Sequence, residues 1–455
     1  MIKRFTLLNV VPTILGSAFL PSSLFQRASE LWPFGSLVDP SDHELLALDG
    51  ADRAGVPHLV HLRWESVPVY RNGKIASSRT TYSGIIYVGN PAQEFRVVFD
   101  TGSGHLVLPA VECQSESCLV HRTFNASASS TSQAIDIHGR KVSGNVTDRL
   151  SISYGTGTVL GEFMQEMVCL TKSLCTQMGI VVAIEMSTKP FKDFRFDGLL
   201  GLGFPSLAIT GSYSFLHQFA TRHPRSQPSF GIFLTDGEEG EESELAIGGY
   251  NVDRLLEPLS WIPVVGDAGF WQVEIKAFRI NGVAHEVCND GSCRGIVDSG
   301  TSHLGLPATW KDEIEELLKV DAGNLADCRS AESPVIEVEL ATTNLTIYSS
   351  TYMRKLPLMK GVTVGSSLQN VLSRSQLQPQ VDTNNVETCA AEHSSNVSVQ
   401  MDGYYCSPRV MHVNVPEVGQ KLFVLGEPLM HRYYTVFDWK RKEIGFGLAN
   451  NMRNR

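Results

Sequence analysis

An excess of basic residues is missing from this chain of 455 residues: 38 Lys and Arg stand against 48 Asp and Glu, for a net charge of −10. Phosphate binding needs a basic footprint, so nucleic acid is excluded as the main partner. None of the nine cysteines is spaced Cys-x-x-Cys, so no zinc site is expected; no other metal and no cofactor is expected either. Beyond residue 20 no run approaches the ~18 uncharged apolar residues of a spanning helix. Helical periodicity is scarce. The clearest case is PATWKDEIEELLKV (307–320). There Thr309 is the expected cap, Asp312 completes a capping box, and Ile314, Leu317 and Leu318 form an apolar stripe.

What is present is strand, turn and short loop. From Thr81 the sequence TYSGIIYVGNPAQEFRVVFD alternates β-branched and polar residues around a Gly-Asn-Pro turn, which predicts a hairpin feeding a buried strand. The fold class is mainly β. DGEEGEESE (236–244) is expected to be a solvated loop. Residues 355–402, rich in Ser, Asn and Gln, are expected to be a long loop or insert. At the N-terminus Lys3 and Arg4 precede an almost uncharged apolar stretch, with Gly16 and Ala18 as small residues. This pattern predicts a signal peptide over 1–18. The nine cysteines fit an oxidising compartment: Cys113 and Cys118, Cys169 and Cys175, and Cys288 and Cys293 lie five or six positions apart, natural spacings for local disulfides, although spacing alone leaves connectivity open. Sequons at Asn125, Asn145, Asn344 and Asn396 agree with the secretory route.

One unusual phrase occurs twice. FDTGSGHLVLP (99–109) and VDSGTSHLGLP (297–307) place Asp100 and Asp298 198 positions apart. Each acid follows an apolar strand and precedes a hydroxyl residue and a glycine. The echo continues: FDGLLGLG (196–203) follows the first copy and FVLGE (423–427) the second. Two β lobes of similar plan, each giving one acid, is the simplest reading. Two carboxyls brought together repel when both are ionised. Such a pair holds one proton over an acidic range: one member accepts a proton from water while the other donates to a carbonyl. The glycines Gly102 and Gly300 permit the tight turn. Thr101 and Ser299 are placed to lock the lobes, and Ser103 and Thr301 to reach their own aspartates, orienting rather than reacting.

On these motifs the chain resembles the pepsin-like aspartic endopeptidases (family A1), from about Thr81 to Leu448. ISYGTGTVLGEF (152–163) resembles the family's flap, and FVLGEPLMHRYYTVFDWKRKEIGFG its C-terminal strands. The resemblance implies a bilobal pepsin-like fold with a cleft and a flap hairpin. It implies Asp100 and Asp298 as the catalytic pair, and Tyr154, Gly155 and Thr156 as flap residues touching substrate. Phe191 and Phe196 would line the pocket before the scissile bond. It also implies disulfides Cys113–Cys118, Cys288–Cys293 and Cys328–Cys406, leaves Cys389 as the odd thiol, and makes Cys169–Cys175 an addition to the pepsin pattern. Gly104, His105 and Val107 depart from the family's usual Ser, Asn and Trp. Without that indole, Tyr154 must be steadied another way.

The resemblance further implies a propeptide over 19–78, an N-terminal lobe with the flap over 79–258, and a C-terminal lobe over 259–455. Residues 58–65 are expected to add a strand to the lobes, with Arg63 or Lys74 against the aspartates. Peptide or protein substrate and the chain's own propeptide are the expected partners. The mature protein is expected to be a monomer in the secretory or endolysosomal lumen, without a membrane span. Two rivals remain. One is a catalytically silent binding protein on the same fold. The other is a serine protease, which the absence of a His-Gly-Thr-His-like segment disfavours.

Overall fold

The structure is a computed structural model of the chain. It describes residues 55–71, 74–142, 148–154, 157–237, 240–359, 403–415, 419 and 421–455. The expected signal peptide, most of the leader, Asn145, Gly155, Thr156, Cys389 and Asn396 lie outside the described residues.

The repeated phrase is also a repeated topology. In the first half, strand Gln93–Asp100 pairs in parallel with Gly198–Gly201, which runs antiparallel to Leu106–Pro109, which in turn pairs in parallel with Cys175–Met186. In the second, Arg294–Val297 pairs in parallel with Leu422–Leu425, antiparallel to Leu304–Pro307, which is parallel to Val410–Val413. Where they pair in parallel these strands are largely apolar and buried, as parallel pairing favours. Leu106–Pro109 and Leu304–Pro307 are buried at every position. The fold is mainly β and bilobal, with the first motif in a fourteen-stranded sheet and the second in a five-stranded one.

The strand His58–Arg71 joins the system. Its first residues pair with Ser243–Ile247 and the rest with Lys74–Val88. Val60 and Leu62 are buried. Arg63 is not at the aspartates: it is exposed and pairs with Glu65 at 3.2 Å. Alternation along the strand explains this, since Leu62 turns inward and its neighbour must turn out. The side chain of Lys74 lies outside the described residues.

Three other expectations are corrected. The helix runs Lys311–Leu318 with Trp310 at its N-cap and no side-chain cap. Trp310 already has helical backbone angles, so the start falls past Thr309 and its hydroxyl caps nothing. Ile314 and Leu318 are buried while Leu317 is half exposed. In the acidic run Gly237, Gly240 and Glu242 are exposed, but its two ends are held by the fold. Glu244, at its end, is buried in a central strand and bonded to Arg254 and Asn251; Asp236, at its start, binds Arg329 at 3.0 Å. Residues 355–402 are not loop throughout: Leu358–Met359 pairs with Tyr404–Cys406, while residues 360–402 lie outside the described residues. A helix not expected from the sequence, Phe215–Arg222, is capped by Ser214 and buries Phe215, Leu216 and Phe219. Disulfides join Cys113 to Cys118, Cys169 to Cys175, Cys288 to Cys293 and Cys328 to Cys406.

Candidate active site

Each aspartate is the end product of the strand that carries it. Asp100 closes Gln93–Asp100 opposite Gly201, and its carbonyl accepts from Leu202 N–H at 2.8 Å. Asp298 follows Val297, and its N–H donates to Leu425 O at 3.2 Å. Gly201 and Gly426 sit where a Cβ would strike the carbonyls of Ser103 and Thr301. This close backbone approach explains a glycine after two apolar residues in both halves.

The loops then cross between lobes. Thr101 N–H donates to Ser299 Oγ at 3.1 Å, and Ser299 N–H donates to Thr101 Oγ1 at 3.0 Å. Thr101 Oγ1 donates to Val297 O at 2.9 Å, and Ser299 Oγ to Phe99 O at 2.7 Å. Every partner lies in the opposite copy of the motif. The crossing brings the two acids to one place: Asp100 and Asp298 are within hydrogen-bonding reach of each other. A Cβ on Gly102 would meet the Asp298 carboxyl, and one on Gly300 would land on Asp100 Oδ1.

The two carboxyls are held differently. Asp298 accepts from Gly300 N–H at 2.8 Å and from Thr301 Oγ1 at 2.5 Å. Asp100 accepts from Gly102 N–H at 2.9 Å. Ser103 Oγ lies beside Asp100 and favours its ionised form, but it makes no hydrogen bond of good geometry among the described residues. Burial, and then the charge of Asp298, push the Asp100 carboxyl well above the usual carboxylate range. Two carboxyls this close repel when both are ionised, which favours a state in which the pair shares a single proton.

Tyr154 ends the strand Arg149–Tyr154, opposite Gly157 on Gly157–Cys169. Its ring meets Phe191 edge-on with centroids 6.4 Å apart. Its hydroxyl is buried with no hydrogen bond among the described residues. Burial and the nearby charge of Asp100 raise its pKa, so it stays protonated. Val107 packs in the same apolar cluster. The space between Val107, Tyr154, Phe191 and Phe196 is only about 10 Å³. Phe191 and Phe196 are both buried, with Asp197 holding their segment by accepting from Arg96 and Arg122 N–H at 2.9 Å. Asn125 is half-buried and Asn344 exposed.

Sequence reasoning missed the layer beneath the acids. His105 is buried and its Nε2 accepts from Ile209 N–H at 3.0 Å. Burial lowers its pKa to about 4, so it stays a neutral acceptor in mild acid. Glu427 N–H donates to Thr301 O at 2.9 Å, while its carboxylate takes Arg409 at 2.9 Å and the Thr80 hydroxyl. Tyr82 Oη and His431 Nε2 lie 2.5 Å apart in the same network. The only available signal was Glu427 directly after the echoed glycine.

A family model described as eukaryotic aspartyl protease matches residues 81–449. Cathepsin E-B of Xenopus laevis is 27% identical over 368 residues, covering 80% of this chain and 78% of the relative. Gastricsin of Rattus norvegicus is 27% identical over 374 residues, 81% of each. Cathepsin E of Cavia porcellus is 33% identical over a shorter stretch, 54% of this chain and 60% of its own. With a match over most of its length and two acids joined by a crossed pair of hydroxyls, the chain belongs to the eukaryotic aspartyl proteases and is an aspartic-type endopeptidase.

Proposed function

We propose that Asp100 and Asp298 are the catalytic pair and act on a water held between them. Asp298, ionised, takes a proton from the water. The water oxygen attacks the peptide carbonyl carbon, and Asp100 delivers its proton to the carbonyl oxygen. Collapse of the tetrahedral species breaks the C–N bond: the amine leaves with the proton returned by Asp298, and one hydroxyl on the carbon gives its proton back to Asp100, which restores the pair. Neither a covalent acyl-enzyme nor a metal enters. The reciprocal crossing of Thr101 and Ser299 carries this reading, because it fixes both acids at one point. Intact acids also disfavour a silent binding protein.

Tyr154, with Gly155 and Thr156, closes over bound peptide, and Phe191 and Phe196 give the cleft its preference for apolar side chains. Their apolar packing and the placement of Tyr154 beside Asp100 support these roles. The chain is made as a zymogen for the secretory route. Four disulfides suit an oxidising lumen, and no helix among the described residues is long and apolar enough to cross a membrane. Residues 19–78 are the removable leader. Its strand 58–71 is held by backbone pairing and few buried side chains, which a cut after residue 78 would leave non-covalent. Retention of that strand in the active form is the competing outcome, favoured by its central place in the sheet. The mature protein acts as a monomer.

A peptide-library digest across pH 3–7, with Asp298→Ala as control, tests the catalytic reading. Cleavage beside apolar residues, lost in the variant, is expected. Undiminished cleavage by Asp100→Asn refutes the mechanism. Mass analysis of the active species decides the fate of residues 19–78.

A further inference from the structure

Four neighbouring strands of the large sheet, Ser260–Pro263, Glu443–Leu448, Tyr433–Asp438 and Ser229–Phe233, border a cavity of about 310 Å³. Trp261, Asp438, Lys440, Arg441 and the segment 227–229 line it. All of them follow residue 78, so the wall survives removal of the leader. No residue of the aspartate site is among them.

One side of the cavity is a hairpin tip. VFDWKRKEIGFG (436–447) sets three basic residues in a row on a chain whose net charge is −10. Buried Asp438 closes the first strand, and its carboxylate accepts from Lys440 N–H at 3.0 Å and from Arg441 N–H at 2.8 Å. The acid in the wall is therefore engaged by the backbone of the turn, and the Arg441 guanidinium comes no nearer to it than 4.0 Å. Lys442 takes the left-handed backbone that completes the turn, with φ 55°. Lys440, Arg441 and Lys442 are all exposed. Among the described residues neither lysine is in an ion pair. Arg225, on the loop just before Gln227, is exposed as well.

The other side is an indole. Trp261 stands opposite Gly445, where a Cβ would meet its ring at 3.2 Å. Glycine leaves the room in which the ring lies over the sheet. Tyr250 meets the same ring edge-on, with centroids 6.5 Å apart. Trp261 is half-buried, so it is a fixed wall rather than a protruding side chain. A membrane-docking patch presents apolar groups outward; a recessed indole beside a cationic rim instead suits a ring with anionic substituents. The apolar C–H face of a sugar packs on the indole, and its anionic groups reach the turn. The negative net charge does not oppose this strongly, because at physiological salt charges beyond about 8 Å are largely screened.

We propose that this cavity binds a sulfated sugar unit of a polysaccharide, its ring on Trp261 and its sulfates on Lys440, Arg441 and Lys442. Binding there holds the protease on a sulfated matrix and leaves the peptide cleft free.

The test is calorimetric titration of the full chain with a heparin tetrasaccharide at low and at physiological salt. One saturable site is expected, weaker at the higher salt. Replacing Lys440, Arg441 and Lys442 together by serine weakens it about tenfold or more, the worth of one charged hydrogen bond at least. Replacing Arg140, Lys141 and Lys172 together by serine removes three exposed charges outside the wall and changes affinity less than about twofold. Trp261→Phe shortens the platform and weakens binding with every charge in place. Absence of saturable binding overturns the proposal, as does equal loss in the two triple variants or unchanged affinity in Trp261→Phe. Equal affinity for a desulfated tetrasaccharide or for tripolyphosphate also overturns it. So does stronger capture of the protein by phosphatidylserine vesicles than by heparin, which would make the patch a membrane surface. If the turn variant does not fold, Trp261→Phe and the ligand comparisons decide.

Discussion

Thr101→Val tests the crossing of the lobes with little change of shape. The side chain is fully buried, and its hydroxyl accepts from Ser299 N–H at 3.0 Å and donates to Val297 O at 2.9 Å. Valine keeps the branch and removes both bonds. Each buried backbone group left without a partner costs about 1–3 kcal/mol. The two bonds therefore predict about 2–6 kcal/mol of lost stability in urea unfolding followed by fluorescence. Both stranded groups belong to the second lobe, so the loss also loosens Asp298 relative to Asp100. kcat is expected to fall more than KM rises, because the pair is needed for the chemical step rather than for holding peptide. Ser299→Ala removes the mirror bonds to Phe99 O and Thr101 N–H. The double variant is expected to show a coupling of about 0.5–3 kcal/mol, as partners in one network do. Ser299→Thr keeps the hydroxyl and is expected to be nearly neutral. If Thr101→Val changes stability by less than about 0.5 kcal/mol and leaves kcat intact, the crossing does not hold the acids and the argument fails.

The glycines make a sharper steric prediction. Gly300→Ala places a methyl on Asp100 Oδ1, so at least about a hundredfold loss of kcat/KM is expected, of the size a misplaced catalytic group gives; near-normal kcat/KM contradicts the geometry. Titration supplies two slopes of opposite sign. The raised Asp100 pKa means its proton, and the stability linked to it, is present in acid and lost as pH rises above the ordinary carboxylate range; activity should decline over the same rise, and the decline in kcat should be absent from Asp100→Asn only because that variant is inactive throughout. The lowered His105 pKa, about 4 against an ordinary 6.5, works the other way: its contribution is present above 6.5 and lost as pH falls toward 4. His105→Asn should then take up about one proton fewer on unfolding in that window, read from the pH slope of urea unfolding; an unchanged slope removes His105 as the cause. Val107→Trp restores the family's aromatic residue to a space of about 10 Å³, so overpacking of about 1–3 kcal/mol is expected, and a stabilised variant shows the cluster to be looser than described.

Legibility in the sequence followed the range of the interactions. The aspartate turns were readable because each is local: acid, hydroxyl and glycine are adjacent, and Gly102 and Gly300 N–H reach back two residues. The glycine after two apolar residues was readable as a repeat, but its reason, contact with Ser103 and Thr301 carbonyls, needed the folded loops. The acidic run misled because composition favours solvent, whereas Glu244 lies in a strand where Arg254 reaches it. Arg63 misled for a related reason: charge suggested the aspartates, but strand alternation turned it outward to Glu65. Glu427 with Arg409 and Thr80 joins residues 347 positions apart at its extreme, and no local pattern announces such a contact.

The differences between the two copies carry as much chemistry as their likeness. Perfect symmetry would make the two carboxyls equivalent and leave the proton unassigned. Here Thr301 donates to Asp298 at 2.5 Å while Ser103, its counterpart, makes no such bond to Asp100. The extra hydrogen bond fixes the Asp298 carboxyl more firmly than that of Asp100. Burial, and then the charge of Asp298, raise the Asp100 carboxyl, and Tyr154 lies close enough to feel its charge. Thr301→Val should therefore free the Asp298 carboxyl to turn and lower kcat about tenfold, the worth of one charged hydrogen bond. Ser103→Ala should lower kcat less. If both variants behave alike, these hydroxyls do not distinguish the two acids.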